Sequence, residues 1–64
     1  MHFVLFQSSK NSQWYWQLRA ANHEPIADGA EGYVHRQGAL HGIELVKSVT
    51  GGTATWDDST RSWL

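Results

Sequence analysis

Apolar and polar positions alternate between Gln13 and Ala21. Trp14, Trp16, Leu18 and Ala20 fall on one side of an extended chain, and Tyr15, Gln17, Arg19 and Ala21 on the other. Just upstream, Phe3-Val4-Leu5-Phe6 is a short β-favouring run, closed by the polar cluster Ser8-Ser9-Lys10-Asn11-Ser12. The two runs predict an antiparallel hairpin. Asn22-His23-Glu24-Pro25 predicts the next turn. Pro25 lacks an N–H, so it belongs at the start or edge of a strand, which makes Ile26-Ala27-Asp28 a short third strand ending at Gly29-Ala30-Glu31-Gly32.

From Arg36 to Val49 the period changes to that of a helix. At about 100° per residue, Ala39, Gly42, Ile43, Leu45, Val46 and Val49 gather on one side. Arg36, Gln37, His41, Glu44, Lys47 and Ser48 take the other side, with Leu40 the one large apolar residue among them. A glycine inside the apolar stripe costs about 1 kcal/mol against alanine, so Gly42 is expected where the helix comes close to the sheet. Gly51-Gly52 is expected to stop the helix. Thr53-Ala54-Thr55-Trp56 is a fourth strand candidate, and Asp57-Asp58-Ser59-Thr60 a turn or the start of a tail. The fold class is therefore α+β: a β-β-β-α-β unit with an antiparallel sheet and one helix packed on one face. The expected core is Phe3, Leu5, Trp16, Leu18, Ala20, Ile26, Ala39, Ile43, Val46 and Trp56. The organisation is a single domain over 1–64, with 1–58 as structured core and 59–64 as a candidate tail.

Composition narrows the function classes. A chain of 64 residues is one small domain, and such domains usually need disulfides, a metal or a partner subunit to be stable. Cysteine is absent, so disulfides and thiolate zinc sites are excluded and association with a second copy gains weight. Five Lys and Arg against six Asp and Glu give a net charge of −1, a poor footprint for phosphate neutralisation. Nucleic acid is accordingly disfavoured as a partner. No apolar run approaches the roughly 18 residues of a membrane span, and the short apolar N-terminus lacks the basic start of a signal peptide. A cytoplasmic location is expected.

Two stretches resemble the YegP-like family of small bacterial proteins, built on a domain of unknown function. The first is Trp16-Gln17-Leu18-Arg19-Ala20-Ala21-Asn22-His23-Glu24-Pro25-Ile26-Ala27. It is similar to the family's aromatic-x-Leu-x-Ala-x-Asn-Gly-Glu-x-Ile-Ala segment. The second is Glu31-Gly32-Tyr33-Val34-His35-Arg36, followed by Ala39 and Gly42-Ile43-Glu44-Leu45-Val46-Lys47. It is similar to the family's Glu-Gly-Tyr, Ser-Lys, Ala and Gly-Ile-x-Ser-Val-Lys pattern. His23 stands where the family has a turn glycine, so a histidine is expected at positive φ. His35 and Arg36 replace Ser and Lys at the helix start, which removes a good N-cap. The resemblance implies a homodimer in which C-terminal strands are exchanged, Thr53 to Asp57 pairing with the other subunit's sheet. Leu40, Leu45, Thr53, Thr55 and Trp56 are the candidate dimer contacts.

Catalytic chemistry has little support. His35 and His41 lie about 240° apart around a helix and cannot share a ligand face, and His2 and His23 lack ligand spacing. Adjacent Asp57 and Asp58 point to opposite faces of a strand and form no dyad. No nucleophile–base motif or phosphate loop is present. No catalytic residue, metal or cofactor is expected, and the role itself is not legible. The alternative to a purely structural dimer is a binding platform. With the helix over Phe3, Leu5, Trp16 and Leu18, the opposite face shows Val4, Phe6, Tyr15, Gln17 and Arg19. Phe6, Tyr15, Gln17 and Arg19 are the candidate binding residues, for an unidentified protein or peptide. A weak single-stranded nucleic acid, stacked on the aromatics, is the second alternative.

Overall fold

In the computed structural model, which describes residues 1–64, β1 (His2–Gln7) and β2 (Trp14–Arg19) form the first antiparallel hairpin. Its turn is tied by Ser8 N–H to Gln13 O at 2.8 Å and Ser12 N–H to Ser8 O at 2.9 Å. Ser12 takes the left-handed conformation at φ 59, and Asn11 Oδ1 accepts the next N–H, from Gln13, at 2.9 Å. β3 (Pro25–Asp28) joins the far side of β2, giving the order β1-β2-β3. Proline opens β3 as expected, and His23 occupies the turn at φ 68, the conformation its place in the turn requires.

The register sorts the side chains. Phe3 lies opposite Leu18, Leu5 opposite Trp16 and Gln7 opposite Trp14 on one face; Val4–Gln17, Phe6–Tyr15 and His2–Arg19 share the other. After β3 the chain leaves the sheet at Gly29. It returns at Tyr33, whose N–H and C=O both bond to Trp14, at 2.8 and 2.7 Å. α1 (Arg36–Lys47) then crosses the first face, against β2 and β1 only.

The core is small and centred on one indole. Trp16, Ala39 and Ile43 are buried, and Phe3, Leu5, Trp14, Tyr33, Leu40 and Val46 pack around them half-buried. Phe3 meets Trp16 edge-on, with ring centroids 5.8 Å apart, a favoured aromatic geometry. Two glycines let the backbone reach this indole. A Cβ on Gly29 would stand 2.7 Å from Trp16 Nε1; one on Gly42 would stand 2.6 Å from Tyr33 Oη and 3.0 Å from Trp16 Nε1. The place of Gly42 in the apolar stripe is thus explained by close approach.

Several expectations are corrected. Ile26 is 55% exposed: Ala27, not Ile26, pairs with Leu18 across a register shift at Leu18/Arg19, and the helix does not reach β3. The helix ends at Lys47 rather than Val49. Ser48, not Gly51-Gly52, terminates it, its N–H and Oγ both bonding Leu45 O. His35, at the N-cap with extended backbone, gives no side-chain cap, as expected for a histidine there. Leu40 turns toward the chain's own core, while Leu45 and Val49 stand 58% and 57% exposed, so the stripe is narrower than its apolar residues. Trp56 does not join the core.

The C-terminal segment also differs from expectation. Trp56–Asp57 (β4) pairs with Ser62–Trp63 (β5) in a separate two-stranded hairpin, so residues 59–64 carry a turn and a strand. Thr53 to Thr55 lie outside any strand. Neither β4 nor β5 touches the three-stranded sheet or the helix. Replacing Trp16 with Ala is expected to cost about 3–5 kcal/mol in denaturant unfolding. A wild-type melting temperature in that variant would refute the core assignment.

Candidate functional site: an open sheet face and a free hairpin

The four residues singled out as a binding face do lie together. β1 and β2 place Phe6 opposite Tyr15, and alternation brings Gln17 and Arg19 to the same side. The Phe6 and Tyr15 rings stack with centroids 5.8 Å apart and planes 20° from parallel. Asn11 Nδ2 donates to Tyr15 Oη at 2.9 Å and fixes the phenol from the turn side. Arg19 Nε donates to Gln17 Oε1 at 3.0 Å, which lays the guanidinium back along β2. No helix or further strand covers this face, though the loop after β3 comes against the Tyr15 ring, where a Cβ on Gly32 would stand 2.9 Å from Oη.

Beside the aromatic pair is a concavity of about 230 Å³, lined by Phe6, Ser8, Tyr15, Trp16, Gln17, Asp28 and Gly29. It lies where the chain detours after β3: Gly29 N–H still bonds Trp16 O at 3.2 Å, and the chain rejoins the edge of β2 only at the Tyr33–Trp14 bridge. Asp28 lies opposite Gln17, which puts a carboxylate at the rim. Alternation alone could not find Asp28 or Ser8, because the face of Asp28 depends on the shift at Leu18/Arg19.

The hairpin is the second feature. Leu64 N–H donates to Thr55 O at 2.9 Å, a ladder bond flanking the Trp56–Trp63 pair. Trp56 and Trp63 therefore face one another at a non-hydrogen-bonded position, where cross-strand side chains come closest. Their rings pack edge to face, 5.2 Å apart at 71°. In the turn, Asp57 Oδ1 accepts the N–H groups of Ser59 at 2.9 Å and Thr60 at 3.4 Å, and also the Ser59 hydroxyl. Arg61 takes φ 56, which closes the turn. Asp58 accepts Trp56 Nε1–H at 3.2 Å. The two aspartates are thus structural groups of one turn rather than a catalytic pair.

The histidines divide differently from expectation. His2 and His23 come together edge to face at 5.2 Å, because β1 begins beside the β2–β3 turn. No group of three or more potential metal ligands forms. The candidate dimer contacts do not make one surface within the chain. Leu40 is half-buried in the core, Leu45 is exposed on the helix, Thr53 and Thr55 lead into the hairpin, and Trp56 packs on Trp63. No helix is long and apolar enough to cross a membrane.

These features define a small α+β protein with a three-stranded antiparallel sheet, one helix on one face of it and a separate C-terminal hairpin. The family model described as "Domain of unknown function (DUF1508)" matches residues 9–57, and the chain belongs to that family, in accord with its YegP-like motifs. UPF0339 proteins of Neisseria meningitidis serogroup B and serogroup A are each 43% identical over 53 residues, covering 83% of this chain and 91% of the relative. The family's description gives its function as unknown. β5 and the turn that leads into it lie beyond the matched residues.

The turn makes the hairpin acid-sensitive. Bonds from the Ser59 hydroxyl and N–H, with those of Thr60 adding, hold the Asp57 carboxyl below its ordinary value of 3.8. A lowered folded pKa contributes stability above the unfolded value and loses it as pH falls through the folded one. The coupled-indole circular dichroism of Trp56 and Trp63 should hold at neutral pH and fade below 3.8, and Asp57→Ala should remove the acid step. An acid step unchanged in that variant would count against the assignment.

Proposed function

We propose that this protein is a non-catalytic interaction module that works as a homodimer, each copy completed by the C-terminal segment of the other. The observation that carries this reading is the surface that the lone chain leaves open. Its accessible area is 5080 Å², against about 4,100 Å² for a compact monomer of this mass. Its radius of gyration is 14.1 Å, where about 11 Å is usual for this length. The excess of about 1,000 Å² is of the size each partner buries in a stable complex, about 800 Å².

The segment responsible is the C-terminal hairpin, which leaves Trp56, Trp63 and Leu64 43%, 67% and 81% exposed. Strand exchange through Thr53 to Asp57 takes a modified form in this reading, because what is passed to the partner is a paired hairpin. The open sheet face with Phe6, Tyr15, Gln17 and Arg19 is the docking surface. The cytoplasm is the proposed compartment, since a cysteine-free small fold does not use the disulfides on which small secreted domains rely.

Light scattering at micromolar concentration should give twice the chain mass, and a chain cut after Gly52 should lose both the dimer and most of its folded signal. A stable folded monomer of the full chain would sink the proposal.

A further inference from the structure

We infer that the concavity on the open sheet face is a seat for Arg61 of a second copy, so that the tip of each C-terminal hairpin docks on the partner's sheet. The inference rests on the dimer reading above and names what fills its docking surface. It begins from charge. Lys47–Glu44, on the outer side of the helix, is the sole ion pair in the chain. Asp28 at the rim of the concavity and Arg61 at the hairpin tip therefore both lack an opposite charge of their own.

The seat suits a guanidinium. The stacked Phe6–Tyr15 pair forms an aromatic wall, Asp28 supplies a carboxylate, and Gln17 and Ser8 supply polar atoms around a volume of about 230 Å³, the scale of one long side chain. A cation over an aromatic face with a carboxylate beside it is held by both, and arginine also stacks through its flat group. The rest of the face agrees in sign. Arg19, laid along β2 by Gln17, lies one alternation away from the seat, and Asp57 and Asp58 stand on the hairpin next to the turn that ends in Arg61. A positive and a negative site on the sheet thus meet a negative and a positive site on the hairpin.

The hairpin is built to deliver the residue. Arg61 is not on a loose tail: its backbone is fixed at φ 56 in a turn held by three bonds to Asp57 and clamped by the Trp56–Trp63 pair. A pre-ordered donor loses less entropy on docking. The hairpin touches no other element of its own chain, and the molecule extends over 41 Å, so its tip is presented to a neighbour and not to its own sheet.

Charge reversal in the full-length protein tests this. Arg61→Asp keeps a residue that tolerates positive φ, and Asp28→Arg alters an exposed strand end. Each variant alone places like charges at both contacts of a symmetric dimer, and its dissociation constant, measured by sedimentation equilibrium, should rise about tenfold or more. An equimolar mixture of the two variants should restore dimerisation to near wild type, because the mixed dimer regains both opposite-charge contacts. The coupled-indole signal of each variant should stay intact, showing that the hairpin still forms. Wild-type affinity in both single variants, or a mixture no tighter than the variants alone, overturns the Arg61 seat while leaving the dimer standing. A monomeric wild type removes the dimer reading and this inference with it.

Discussion

The contact of the Trp16 indole with the backbone of two glycines is the constraint on which the fold depends. A sheet of three short strands can bury little, so one large side chain has to fill the space between sheet and helix. Gly42 brings α1 onto the ring and Gly29 brings the end of β3 against its edge, while Phe3 and Tyr33 close the sides. Once the helix lies there, it packs on β2 and β1 and does not touch β3. That placement, with the register shift at Leu18/Arg19, leaves Ile26 exposed and the opposite face without a helix.

The bare face and the free hairpin are consequences of the same shortage of material. β3 stops at Asp28 and the chain detours to Tyr33 before rejoining β2, with the concavity beside Phe6 and Tyr15 at the start of that detour. The C-terminal segment, with no place against the core, satisfies its own backbone by folding back through the Asp57 turn. Two cross-strand tryptophans then hold a hairpin that the sheet does not support. Isolated hairpins are marginal in water, so an edge-to-face indole pair and a fully bonded turn are the physical means by which this one persists.

Most of the fold was legible in the chain. The alternation in Gln13 to Ala21 separated Trp16 from Tyr15, and the register confirms it: Trp16 lies opposite Leu5 and Tyr15 opposite Phe6. The place of Pro25, the positive φ of His23 and the role of Gly42 followed from the conformations and approaches those residues permit. The four face residues were found because strand alternation needs no tertiary knowledge. Asp28 was missed because one shifted pair decides its face, and Ile26 because its burial depends on how far the helix reaches. Trp56 was assigned to the core as the large apolar residue of a fourth strand, yet its partner within the chain is Trp63, seven residues on.

By itself the sequence determined the order of the first three strands and the helix, the two faces of the first hairpin and the close approach at Gly42, because these depend on local periodicity and sterics. The tertiary structure decided which apolar residues are covered, where the corner concavity opens and that the C-terminus pairs with itself. Those outcomes turn on how a limited area of helix is shared among three strands, and on competition between pairing partners distant in sequence. Neither quantity is written in any single stretch of the chain.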